Sequence, residues 1–272
     1  ERVMQALSLS KNKHIGLSDI KECMNKAKND LSTRLTMLCK DFNIKQIESG
    51  TWLSFDELNN ETTFDLEFLR DSYAIAGVDL SATTDLTCAI LLVIKKGKKY
   101  IIPHFFMPKD TIEKRMQEDN VPYTTWVQRG LITLSDGSQN DFSKVTEWFL
   151  QMVRDYEIRP LWVGYDPWNS LYWVDEMNDF GFTMEKVRQG VYSLSEPMKQ
   201  LEADLKNKDV IYNNNPILKW NLANTQAKMD VNGNIQPCKL NSKYKRIDGS
   251  VALIIAYAVL NRYKKEYENM TS

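Results

Sequence analysis

Between residues 73 and 107 three apolar runs follow one another with little between them, and that spacing restricts the folds open to the chain. The first, Tyr73-Ala74-Ile75-Ala76-Gly77-Val78-Asp79-Leu80, has the pattern of a buried strand. The polar stretch 81–85 leads into a second, Leu86-Thr87-Cys88-Ala89-Ile90-Leu91-Leu92-Val93-Ile94. Lys95-Lys96-Gly97-Lys98-Lys99 reads as a hairpin turn, and residues 100–107 form the third run. Links this short join antiparallel neighbours, so the three runs predict a meander.

Downstream, helical and strand patterns alternate. Residues 108–129 read as helical or irregular and 131–134 as a short strand. Val145, Trp148, Phe149, Met152 and Val153 fall on one face of a helix over 142–156. Leu161-Trp162-Val163-Gly164-Tyr165-Asp166 is a strand halted by Pro167. Segments 171–180 and 197–206 read as helices, and Asp248-Gly249-Ser250 opens a last one over 251–263. The predicted class is a mixed α/β sheet, an antiparallel three-stranded meander plus parallel strands, with helices on its faces.

The first fifty residues are polar. Ser18-Asp19-Ile20-Lys21-Glu22 resembles an N-cap and first turn, with Leu31, Leu35, Met37 and Leu38 continuing an apolar face. Trp52, Leu53 and Phe55 then interrupt an acidic stretch. Asp56, Glu57, Glu61, Asp65, Glu67 and Asp71 there face one base, Arg70. Residues 1–70 are expected to be a linker or arm that lies on the main domain, 71–272, through its aromatic side chains.

Composition narrows the function classes. With 272 residues, 43% hydrophobic and 26% charged, the chain has ample material for a core, which excludes a disordered tail, a fibre or a coiled-coil rod. No apolar run reaches the roughly 18 residues that cross a bilayer, so no membrane partner is expected. Cys23, Cys39, Cys88 and Cys238 are dispersed and fit reduced thiols. With only His14 and His104, a histidine-built zinc centre is unexpected. No signal peptide follows Glu1, which points to the cytoplasm. The start without Met suggests a piece of something longer. The net charge of −1 argues against a strong, constitutive nucleic-acid binder, yet residues 237–265 carry a local +6.

Three aspartates share a setting. Asp79 lies within a strand run, Asp166 at a strand end and Asp248 at a helix start, each beside Gly77, Gly164, Pro167 or Gly249. Only a fold could bring them together. A carboxylate among apolar strand residues is unfavourable unless paired or bound to a metal. Several carboxylates at one sheet edge repel one another, and hard Mg²⁺ or Mn²⁺ relieves that repulsion with oxygen ligands. Each acid also has a local reading, Asp248 as a helix cap and Asp166 as a turn residue.

The motifs Gly77-Val78-Asp79-Leu80-Ser81 and Asp85-Leu86-Thr87 resemble the start of the nuclease domain in large terminase subunits of tailed bacteriophages. Gly164-Tyr165-Asp166-Pro167 resembles that family's second acidic strand. Gln189-Gly190, Ser193-Leu194-Ser195 and Pro197-Met198-Lys199 resemble the segment after it, and Asn215-Pro216, Trp220 and Asn224 the next. Ile247-Asp248-Gly249-Ser250-Val251-Ala252 resembles its closing acidic helix, and Phe42-Asn43 and Trp52 the segment joining motor to nuclease. The ordered set covers nearly the whole chain. One departure is Tyr212-Asn213-Asn214, where the family often carries a histidine, so no histidine role is carried over.

The resemblance implies a ribonuclease H-like fold and a two-ion Mg²⁺ or Mn²⁺ endonuclease that cuts double-stranded concatemeric DNA during genome packaging. It assigns Asp79, Asp166 and Asp248 as catalytic metal ligands. Asp85 is assigned as an additional metal acid or, equally, a turn residue. The phosphate-cradling pattern G-x-x-x-x-G-K-[ST] is nowhere in the sequence, so the packaging ATPase domain is expected to lie outside this chain. The implied partners are that ATPase domain, the small terminase subunit and the portal protein, in the host cytoplasm. Two basic clusters are candidate phosphate contacts or solubilising surface: Lys95, Lys96, Lys98 and Lys99 on the hairpin, and Lys239, Lys243, Lys245 and Arg246 before Asp248. Trp162, Trp168, Tyr172 and Trp173 around Asp166 are read as core or helix packing rather than a stacking platform. Two other functions stay open: a non-catalytic module docking DNA or the portal, and another ribonuclease H-like enzyme such as a junction resolvase or transposase.

Overall fold

A computed structural model describes residues 52–83, 85–168, 170–239 and 245–271. The expected helix after Ser18, Cys23, Cys39, His14 and Lys243 lie outside the described residues.

A short helix, α1 (Phe55–Leu58), precedes the meander of β1 (Tyr73–Asp79), β2 (Thr87–Lys95) and β3 (Lys98–Pro108). Helices α2 (Ile112–Asp119) and α3 (Tyr123–Gln128) lead to β4 (Ile132–Ser135). Then come α4 (Ser143–Tyr156), β5 (Arg159–Tyr165), α5 (Leu171–Asp179), β6 (Met184–Lys186) and α6 (Val191–Lys206). Strand β7 (Val210–Ile211) and helix α7 (Pro216–Asn224) are followed by a separate hairpin, β8 (Thr225–Met229) and β9 (Ile235–Lys239). Helices α8 (Asp248–Arg262) and α9 (Lys264–Thr271) complete the described chain.

The main sheet runs β4-β3-β2-β1-β5-β6, with β7 pairing the start of β3 and β4 its end. The meander is antiparallel as expected, whereas β5 joins β1, β6 joins β5 and β4 joins β3 in parallel. Alternation along β2 sorts the core into two layers. Cys88, Ile90 and Leu92 face α6, α7 and α8, while Ala89, Leu91 and Val93 face α4 and α5. Helices therefore cover both sides of the sheet, with fully buried Leu and Ile at each interface.

The segment before β1 is bound more closely than aromatic contact alone would require. Trp52 is buried, and its indole N–H donates to Glu202 at 2.8 Å. Phe55 is exposed, whereas the aliphatic Leu53, Leu58 and Leu69 are buried, and Asn60 Nδ2 donates to the Val210 carbonyl at 2.8 Å. Some boundaries differ from expectation. Helix α6 starts at Val191, so Pro197 sits inside it rather than at its start. The lost N–H bond is offset by buried Leu194, Met198, Leu201 and Leu205. The β8–β9 hairpin was not anticipated. Its turn is closed by Asp230, whose Oδ1 accepts from the Asn232 and Asn234 amides, both at 2.9 Å.

Candidate functional site

The two glycines beside the acids decide how the helix and sheet meet. A Cβ at Gly77 would lie 2.1 Å from the Ala252 carbonyl oxygen and 2.5 Å from the Ala256 nitrogen. One at Gly164 would lie 2.6 Å from a Val259 methyl and 2.8 Å from an Ile255 methyl. Glycine lets α8 lie directly on β1 and β5, one turn past Asp248. The N-terminal end of α8 thereby arrives at the carboxyl end of β1.

Register completes the arrangement. Val78 pairs Tyr165 across the parallel β1–β5 ladder, so the next residues on each strand, Asp79 and Asp166, emerge side by side. Neighbouring strands are about 4.8 Å apart. On the other side Asp79 pairs Cys88, and the loop between them brings Asp85 in. That loop is tied down: Ser81 Oγ accepts the Asp85 amide at 3.0 Å, Thr87 Oγ1 accepts the Ser81 amide at 2.9 Å, and Asn140 Nδ2 donates to the Ser81 carbonyl at 2.7 Å. All four sequence-predicted acids thus share one corner of the sheet.

Their electrostatics are those of crowded carboxylates. Burial pushes the Asp79 carboxyl well above its usual range, and the charges of Asp248, Asp166 and Asp85 push the same way. Asp248 is raised to about 7, first by burial and then by Asp85. Burial also pushes Asp85 upward, but hydrogen bonds and charge from Lys239 and Arg246 hold it below the ordinary value. Asp248 does not cap its helix. The cap position is Ile247, and the Gly249 amide is taken by Asn221 Oδ1 at 2.8 Å. Its Oδ2 is buried with no hydrogen-bond partner among the described residues. Asp166, by contrast, does serve its own turn, its Oδ1 accepting the Trp168 amide at 3.2 Å.

An unpartnered buried carboxylate oxygen beside two further acids fits a hard divalent cation, for which oxygen is the preferred donor. Among the described residues, no three His, Cys, Asp or Glu are drawn close enough to form a ready cage.

The basic candidates divide. Lys239 Nζ stands 2.9 Å from Asp85, at the site. Lys245 is half-buried nearby in sequence, and Lys243 is outside the described residues. Arg246 corrects the expectation of a phosphate contact. Its side chain is 3% exposed and grips Asp119, itself 0% exposed, through Nε at 2.9 Å and Nη2 at 3.0 Å, while Nη1 binds Asp85. Tyr123 completes the cluster by donating its hydroxyl to Asp119 at 2.7 Å.

The hairpin lysines are at the wrong end. From Cys88, opposite Asp79, to Lys95 the chain runs the length of β2, roughly 24 Å at about 3.4 Å per residue. Lys99 pairs with Asp204 at 2.8 Å, Lys98 with Asp209 at 2.6 Å, and Lys95 donates to the Phe68 carbonyl at 2.6 Å, with Lys96 over the Phe68 ring. The aromatic set also divides. Trp173 is buried and Trp162 stacks on Tyr263 at 4.5 Å, but Trp168 and Tyr172 stand in solvent. Asp119 and Tyr123 were missed because nothing in the sequence links them to Arg246.

Residues 3–263 match the family model described as terminase large subunit, endonuclease domain. The terminase large subunit of Enterobacteria phage HK97 is 28% identical over 189 residues, covering 68% of this chain and 37% of that protein. Protein YmfN of Escherichia coli K12 is 26% identical over 274 residues, covering 94% of this chain and 59% of that protein. The crystal structure of the HK97 large terminase superposes with a TM-score of 0.68 at 24% identity, covering 90% of this chain and 50% of that one. The chain thus spans little more than a third to some three-fifths of these relatives, and the shared architecture is the ribonuclease H-like mixed sheet.

Proposed function

The chain belongs to the family of terminase large subunit endonuclease domains, and from that footing we propose that it hydrolyses phosphodiester bonds of double-stranded DNA at the Asp79–Asp166–Asp248 corner with divalent cations. The observation that carries the reading is the orphaned Oδ2 of Asp248, buried beside two other carboxylates at one sheet edge. Asp79, Asp166 and Asp248 would hold the ions, Mg²⁺ or Mn²⁺, with Asp85 as a fourth oxygen donor. Bound in a pair, such ions supply the positive charge that stabilises the attacking and leaving oxygens of an in-line displacement.

The chain's own residues do the rest. Parallel pairing fixes Asp79 beside Asp166, and the close approach of α8 over Gly77 fixes Asp248 against them. Lys239 offers a positive group within reach of a phosphate drawn to this corner, and Lys245, half-buried, precedes Arg246 in the approach to α8. Arg246 and Asp119 hold the loop of Asp85 and the approach to α8 from behind. The setting belongs to the same proposal: cleavage of concatemeric viral DNA in the host cytoplasm, directed by the ATPase domain of the longer protein, the small terminase subunit and the portal protein.

The test is cleavage of supercoiled plasmid by the full chain in Mn²⁺ or Mg²⁺. Nicking and linearisation are expected. Asp79→Asn and Asp166→Asn should abolish both while the circular dichroism spectrum is kept. Cleavage by either folded variant at the wild-type rate, or none by the wild type, would overturn the assignment.

A further inference from the structure

Helix α5 needs only one side to pack. Trp173, Val174 and Met177 fill the interface with the sheet. On its outer side, and in the turn before it, three large apolar groups face water: Trp168 is 78% exposed, Leu171 69% and Tyr172 89%. Beyond β6, Tyr192 is 97% exposed in the first turn of α6. None of these side chains contributes to the core, and Trp168, Leu171 and Tyr172 fall within five positions of one another at the start of α5.

Their place in the fold identifies what they would meet. Strands β5 and β6 are parallel, and the Val187 amide donates to the Tyr165 carbonyl at 2.9 Å, so both chains leave the sheet at the same edge as Asp79 and Asp166. Open α/β sheets place ligands at this carboxyl edge. Trp168 is anchored to the site directly, since its amide is the one that Asp166 accepts. Whatever backbone phosphate sits at Asp166 has its neighbouring nucleotides within reach of that ring. Charge agrees with this occupant: Lys186 and Arg188 are exposed at the carboxyl end of β6, the strand next to β5. Asp175 and Asp179, further along α5, confine a polyanion to the helix's first turn.

We propose that Trp168 and Tyr172 form a stacking platform for unpaired bases of DNA flanking the phosphate held at Asp166. Indole and phenol rings stack on any base, so the platform is sequence-tolerant, and it favours DNA whose bases have already left the helix. This rests on the reading of Asp166 as part of a DNA-cleaving site, and it gives that site a preference for locally opened over intact duplex.

The experiment measures fluorescence anisotropy of the full chain in Ca²⁺ with Mg²⁺ and Mn²⁺ left out, so that the carboxylates are neutralised and binding is read without cleavage. The probes are a short labelled duplex and the same duplex carrying a central unpaired bubble. The wild type should bind the bubble more tightly, and Trp168→Ala/Tyr172→Ala should lose that preference by at least about fivefold per ring. Trp168→Phe, which keeps a stacking face, should retain it, and Tyr172→Ser provides a second variant at an exposed helix position. Mn²⁺ binding by calorimetry should be the same in all of them. Equal affinity of the wild type for both probes overturns the proposal. So does a preference unchanged without the rings. Failure of the nuclease reading is scored separately, by the wild-type plasmid assay.

Discussion

Asp119→Asn removes a charge from the most enclosed ion pair near the site. The Asp119 side chain is fully buried and that of Arg246 nearly so, and the guanidinium meets both carboxylate oxygens at 2.9 and 3.0 Å. Losing one partner of such a pair leaves the other charge uncompensated, at about 3–5 kcal/mol. Arg246 retains Asp85, a partner in contact with solvent, which places the expected loss near the lower limit, about 3 kcal/mol. In a domain of this size that is a fall of about 6–12 °C in Tm. The assay is urea and thermal unfolding followed by circular dichroism, with Tyr123→Phe separating the contribution of the third hydrogen bond. Asp119→Leu/Arg246→Met, which removes both charges, should recover most of the stability, because a buried pair contributes little relative to an apolar replacement. A loss below about 0.5 kcal/mol for Asp119→Asn would refute the view that this pair is a buried fastening.

Gly77→Ala should destabilise at or beyond the upper end of the roughly 1–3 kcal/mol usual for overpacking, since the new methyl would meet backbone of α8 rather than a movable side chain, and denaturant titration checks it. His104 is held neutral by burial, its pKa lowered to about 4, and it stacks on Trp148. The unfolded imidazole takes up its proton near pH 6.5, so this group's contribution is complete above that value and is lost as pH falls toward 4. His104→Gln should therefore flatten the acid side of the stability profile between those limits. Lys95→Ala/Lys96→Ala should change duplex affinity less than twofold by anisotropy, because the hairpin is at the far end of β2 from the acids. Mn²⁺ at about a hundred times its Kd should raise wild-type stability by about 2.7 kcal/mol, an effect that Asp79→Asn should remove in a thermal-shift assay.

The meander and the acid positions were legible because each rests on local pattern. An Asp inside an apolar strand and a Gly two residues before it are visible without a fold, and the same pairing recurs at Gly164 and Asp166. Placement of the hairpin lysines was also legible in principle. A nine-residue strand leading away from the acids already sets them at the opposite edge. The outward face of α5 could have been read from Trp173, Val174 and Met177, whose spacing turns Leu171 and Tyr172 toward solvent. The Arg246–Asp119 pair could not. It joins residues 127 positions apart through tertiary packing, and in the sequence Arg246 is indistinguishable from the lysines around it. The same limit applied to Asp248, whose capping role fell away only once Asn221 was seen to hold the Gly249 amide.

The central claim is that three carboxylates from β1, β5 and α8 form one divalent-cation site. Its most direct test is a crystal of the full chain soaked in Mn²⁺ and measured at the manganese absorption edge. An anomalous peak between Asp79 and Asp166, with Asp248 Oδ2 turned toward it, is the predicted result. A saturating soak that leaves this corner empty, with manganese bound elsewhere, would contradict the account.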